Sequence, residues 1–196
     1  MRVSRSVQAA ADIFIGAKTS VAIPTGHPLV RDALVLASLD PAVRSIDFVA
    51  SARVGATSID LDAITTEHDD GRFYLDVVPA RPVRDAEHEG KVLIALRDLG
   101  LTAITLTAAD IKGQPRFANS NLVWSYRMHP VGIGLRMRAL QILADDGPMT
   151  LSRLLTSVRS NRDPSPAIMA LACSDLLELD LISRPLGPAT IVRERA

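Results

Sequence analysis

Cysteine is almost missing from this chain of 196 residues, and its single Cys173 excludes any intramolecular disulfide. Such usage fits a reducing compartment, and the expected location is the cytoplasm. Cys173 falls among Ile168, Leu171, Ala172 and Leu176, so it is expected in the core. Aromatic residues are scarce at 4%, which leaves a core built from Leu, Ile, Val and Ala. No apolar run approaches the ~20 residues that span a bilayer, so no membrane partner is expected. The basic start of MRVSRSVQAAADIFIGAKTS leads into a short apolar run broken by Asp12, and no signal peptide is read there. Net charge is also lacking: 22 basic residues balance 22 acidic ones. The chain as a whole is therefore not steered to nucleic acid, and any such site must be a local patch. Lysine is nearly absent too. Lys18, Lys91 and Lys112 are the only ones, and every other basic residue is arginine, the better fork for phosphate. A GC-rich coding preference is the plainer account of that choice.

What is present is a folded composition, 47% hydrophobic and 22% charged, enough for a sizeable core. The stretch to about Ala22 reads as an amphipathic helix. In PTGHPLVRDALVLASLDPAV, apolar Leu29, Ala33, Leu36 and Ala37 recur at helical spacing between Pro28 and Pro41. VRSIDFVA reads as a strand. SIDLDAITT alternates, with Ile59, Leu61 and Ala63 on one face and Asp60, Asp62 and Ile64 on the other. Asp69-Asp70-Gly71 makes a turn. RFYLDVV returns with Tyr74, Asp76 and Val78 on one face, and Pro79 and Pro82 end it. A helix follows over 83–99, with Gly100 as its stop. LTAITLT is a strand, Thr107 caps a short helix, and Gln114-Pro115 breaks the chain before a helix over 119–126. This order suits an α/β fold, a mixed sheet flanked by helices, over residues 1–127.

Around 128–134 the character changes, and a boundary is placed there. Residues 128–196 read as a small winged-helix-like domain: helices over 135–144, 151–158 and 166–179, then two short strands in LISRP and ATIVRER. The third helix holds no Lys or Arg and ends acidic, which disfavours base reading by its body. Arg153, Arg159, Arg162, Arg184, Arg193 and Arg195 flank it and are the candidate phosphate contacts. From Tyr126 onward nine arginines meet seven acids, a slight basic excess.

The hairpin carries the most specific signal. An acid on one strand, then an acid and a lysine two apart on the next, is the arrangement that holds a divalent metal through oxygen ligands and activates water on it. Asp62 and Asp76 lie at the two acidic positions. Val78 lies where the lysine would be, and Leu61 stands where a proline would precede the first acid. The segment resembles the metal-dependent nucleases of the PD-(D/E)-x-K superfamily, more narrowly the endonuclease subunit of TnsA-type transposases and its bacterial relatives. The resemblance runs from about Pro28 to Arg193 and includes TLTAADIKGQPRFANSNLVWSYR and LELDLISRPLGPATIVRER. It rests on order and spacing. It implies a restriction-endonuclease-like fold, Asp62 and Asp76 as metal ligands or catalytic groups if activity persists, and Mg²⁺ as the possible cofactor. In such families an upstream helix supplies a glutamate, whereas the matching helix here offers Asp32.

The plain alternative is that Asp62 and Asp76 are solvated strand residues. With the lysine lost, the expectation is a catalytically impaired nuclease-like protein that binds DNA or a DNA-processing partner in a structural or regulatory role. One rival is a metal-dependent DNA endonuclease with a rearranged site drawing on Asp60, Glu67, Asp69 or Lys91. The other is a protein-interaction or homodimerisation module. His27, His68, His88 and His129 show no metal-ligand spacing.

Overall fold

The computed structural model describes residues 12–160 and 162–195. Its elements run β1 (Ile13–Phe14), β2 (Ile23–Pro24), α1 (Pro28–Ser38), β3 (Ser45–Val54), β4 (Thr57–His68) and β5 (Gly71–Val77). A 3-10 turn, Val78–Ala80, leads on to α2 (Ala86–Asp98), β6 (Thr102–Leu106), α3 (Ala108–Lys112) and α4 (Arg116–Ser125). Then come α5 (Ile133–Asp146), β7 (Met149–Thr150), α6 (Leu151–Val158), α7 (Ser165–Cys173), β8 (Leu177–Leu179) and β9 (Ile191–Glu194).

The chain is a mixed α/β structure. Its main sheet has the order β3-β4-β5-β6, antiparallel except for the parallel pair of β5 and β6. The parallel pair needs a crossover, and α2 supplies it. The apolar alternation of β4 works as expected: Ile59, Leu61 and Ala63 are buried with Val92, Ala95 and Leu96 of α2. The opposite face packs on α1 and α3, where Ala33, Leu36, Val77 and Ile111 form a cluster.

Local chemistry sets the ends of these elements. Pro28 opens α1, and the His27 Nδ1 accepts from the Leu29 N–H at 3.1 Å. Asp85 caps α2 by accepting from the His88 N–H, so the helix starts three residues later than the pattern over 83–99 suggests. Gly100, at φ +68°, ends its last turn in the left-handed region. Thr107 and Asp110 form a reciprocal capping box on α3. The helix expected over 119–126 begins at once after Pro115.

Three expectations need correction. Within the described part of the first 22 residues there is no helix. β1 pairs with β2, and Phe14 stacks on Trp124 at 5.1 Å; residues 1–11 lie outside the described residues. The helix expected over 166–179 ends at Cys173, because Asp175 turns left-handed at φ +55°. Leu177 and Leu179 are then buried on one side of strand β8, with period 2. Finally, LISRP is not a strand. It lies in the loop between β8 and β9, and the third strand of the order β7-β9-β8 comes from Met149–Thr150 instead.

One buried cluster runs through both halves, joining Leu34, Ile46 and Val123 to Leu143, Leu154, Ile168 and Val192. Helix α7 is at its heart: all of Ala167 to Cys173 is buried. The Cys173 thiol contacts the Val123 carbonyl, and burial pushes its pKa up to about 12, so it is an inert core group. Among the described residues no helix is long and apolar enough to cross a membrane.

Two polar devices tie the halves together. Buried Asn119 donates from Nδ2 to the carbonyls of Leu181 and Arg184, while its Oδ1 accepts from the Leu186 N–H. Buried Lys18 donates to the Asp40 carbonyl at 2.7 Å and pairs with Asp175 at 3.3 Å. Arg195 meets the same Asp175 at 3.2 Å and Glu178 at 2.9 Å, and donates to the carbonyls of Pro41 and Val43.

Candidate functional site

Asp62 and Asp76 both line one cleft of about 550 Å³ between β4, β5, α2 and the 78–84 loop. Each reaches it for a local reason. Between Val49 and Ser51 the β3–β4 register shifts, so the span from Asp60 to Ala63 faces one residue fewer. This β-bulge puts Asp62 at φ +48°, a left-handed backbone that aspartate tolerates better than most residues. Asp62 is exposed. Asp76 sits near the end of β5, opposite Thr105 of β6.

Asp76 already has a cation. Arg81 Nε donates to Oδ1 at 2.7 Å, and Arg81 Nη2 donates to Oδ2. Thr105 Oγ1 adds a hydrogen bond to Oδ2 at 3.3 Å. The Asp76 side chain is 14% exposed. A bidentate guanidinium is among the strongest partners a carboxylate finds. The Arg81 hydrogen bond, foremost, holds the Asp76 carboxyl below its ordinary value of 3.8.

That shift has a sign. A carboxyl depressed in the folded state adds stability above its unfolded pKa and loses it as pH falls through the folded one. The pair's contribution is thus complete above about pH 4 and disappears in the acid range below it. Arg81→Gln is expected to flatten that part of the stability–pH curve, which acid titration followed by circular dichroism will show. An unchanged acid limb would mean that the pair does not contribute.

Val78 does not continue the strand. β5 ends at Val77, and Val78 enters the 3-10 turn, so Asp76 and Val78 do not share a strand face as the alternation suggests. The same turn carries Arg81 back onto Asp76.

A divalent metal does not fit these residues. Both oxygens of Asp76 are taken by Arg81, and Asp62 alone is a poor anchor. Among the described residues no group of three His, Cys, Asp or Glu could hold a metal ion. Asp32 is paired with Lys112 at 2.6 Å. The substitutes are placed elsewhere. Asp69 pairs with Arg44 and Lys91 with Glu87, Glu67 accepts from Ser45, and Asp60 lies outside the cleft wall.

The six candidate arginines divide into three groups. Arg159, Arg162 and Arg184 are exposed, and Arg184 acts on Asp180 only through its field. Arg153 reaches Asp146 at 3.2 Å and Arg193 approaches Glu178 at 3.8 Å, both from exposed positions. Arg195 differs: its side chain is 12% exposed and filled with internal partners, which leaves no face for a phosphate.

Against known proteins, the chain matches no family model and no curated protein. What the site can do therefore rests on its own geometry. Its decisive residue, Arg81, carries no periodic signal, since it lies beyond the end of β5. Only its position five residues after Asp76, in a Pro-flanked turn, hints at a return contact. Tyr74 also lines the cleft, and the sequence does not single it out, because on an alternating strand it looks like any packing residue.

Proposed function

We propose that this is a nuclease-like protein that does not cleave, and that engages DNA or a DNA-processing partner in a structural or regulatory role. The reading rests chiefly on Asp76. Its two oxygens are bound by Arg81, so the acid that would hold a metal is neutralised from within the chain. Metal-bound hydroxide is what makes such sites cut, and nothing on the cleft wall substitutes for it.

The C-terminal half supports contact with phosphates. Its order of α5, β7, α6, α7, β8 and β9 supports a winged-helix-like reading. Its third helix is buried, so base reading does not come from there. Arg159 and Arg162 follow α6, and Arg184 projects from the loop before β9. Arginines in such positions grip the backbone and give affinity with little sequence preference.

Fluorescence anisotropy with a short duplex tests this directly. Binding is expected at low salt and should weaken steeply as salt rises. The Arg159→Gln/Arg162→Gln/Arg184→Gln variant should lower the slope of log K against log salt by about 2–3, since each phosphate no longer neutralised removes about 0.9. Absence of binding at low salt removes the DNA reading.

In that case a protein-interaction or homodimerisation role leads. One observation favours it independently. Met128, in the segment before α5, and Ile133 and Met137, in its first turns, are 83%, 70% and 60% exposed. Large apolar side chains grouped in water commonly mark a contact surface.

A further inference from the structure

We propose that the cleft between β4, β5 and α2 binds a small organic cation, a primary ammonium carried on an apolar body. This does not depend on the DNA reading. The volume, about 550 Å³, is that of a small-molecule site. Its floor is aliphatic, from Leu61 and Ala63 of β4, Val77 of β5, and Val92 and Leu96 of α2. Such a floor takes an apolar body and not a run of phosphates.

Charge decides the head group. Two ion pairs on the wall are satisfied within the chain. Arg81 holds Asp76, and Arg84 approaches Glu89 at 3.7 Å while donating to the Leu61 carbonyl. What is left over is Asp62, which has no ion pair or hydrogen bond among the described residues. The Tyr74 hydroxyl, on the same wall, likewise makes no hydrogen bond among them. An ammonium group brings one positive charge and three donors, and both groups can accept from it. An anionic ligand would have to displace Asp76 from a bidentate guanidinium and sit beside an uncompensated carboxylate. A neutral ligand would leave exposed Asp62 to water and gain nothing from its charge. The wall as a whole holds three carboxylates against two guanidiniums, so one added cation balances it.

Three probes with the same aromatic body separate these cases: 2-phenylethylamine, 2-phenylethanol and 3-phenylpropanoate at pH 7. Methyl NMR of the whole chain follows Leu61, Val77, Val92 and Leu96. The ammonium is expected to shift these methyls and to bind at least about threefold more tightly than the alcohol, in keeping with one partly exposed ion pair. The carboxylate should be the weakest. Asn also tolerates the left-handed backbone at position 62, so Asp62→Asn should preserve the fold, visible as unmoved methyls elsewhere. It should bring the ammonium down to the alcohol. The proposal is overturned if alcohol or carboxylate binds as well as the ammonium, if the preference survives Asp62→Asn, or if no probe moves the cleft methyls.

Discussion

Replacing Arg195 by methionine is expected to destabilise the fold by about 3 kcal/mol, the lower end of what removing one partner from a buried charge group costs. Its place just after β9, outside any regular element, gives no reason to expect this. Geometry does. Its guanidinium sits between Asp175 and Glu178 and also donates to the carbonyls of Pro41 and Val43. Without it, Asp175 and Glu178 share a site answered by Lys18, the more distant Arg193 and the field of Arg44. The same loss unties the chain end from the loop after α1. Urea unfolding measures the change. Adding Glu178→Gln should recover part of it, since one uncompensated charge is then removed, and the two substitutions should be clearly non-additive. A loss below about 0.5 kcal/mol, typical of surface changes, would show that the network is solvated in solution.

The second large effect is expected at Asn119. It alone meets three backbone groups of the 181–186 segment, two carbonyls and one N–H. Asn119→Leu deprives all three of their partner. Each buried orphan costs about 1–3 kcal/mol, and the Arg184 carbonyl can recruit water, so a total of about 3 kcal/mol is expected. Asn119→Asp should be nearly as costly. The carboxylate still accepts from Leu186, but its other oxygen then faces the carbonyls to which the amide donates. Thermal unfolding of the two variants checks this. If Asn119→Asp were neutral, the loop would be held by something other than the amide.

These two devices also show where the sequence stops being legible. Helices α1, α2 and α6 and the hairpin of β4 and β5 are readable because each has a local cause: a cap, a proline, a glycine stop, or alternation around a polar turn. The mixed sheet follows from their order. Helix α7 reads correctly as apolar, but two residues of context change its end. Ser174 and Asp175 reverse the chain, and an LEL that fits a helix serves as β8. The pairing of Met149–Thr150 with β9 is set by packing on α5 and α6, and two residues carry no periodicity of their own.

The candidate site divides in the same way. The resemblance to metal-dependent nucleases singles out Asp62 and Asp76, and both line one cleft. The bulge that turns Asp62 left-handed and the turn that returns Arg81 to Asp76 are tertiary events, decided by partners far along or past the strand. Arg195 illustrates the opposite failure. Its charge and its place on the wing beside the third helix suggest a phosphate contact, but its internal partners assign it to the scaffold.

Under the proposed function, Arg81 stands in for a metal at Asp76, and the cleft does not cut DNA. Supercoiled plasmid incubated with the protein and Mg²⁺ or Mn²⁺ tests it most directly. The account predicts no nicked or linear product over background, for the native chain and for Asp62→Ala and Asp76→Ala alike. Metal-dependent nicking by the native chain that both substitutions abolish would contradict it.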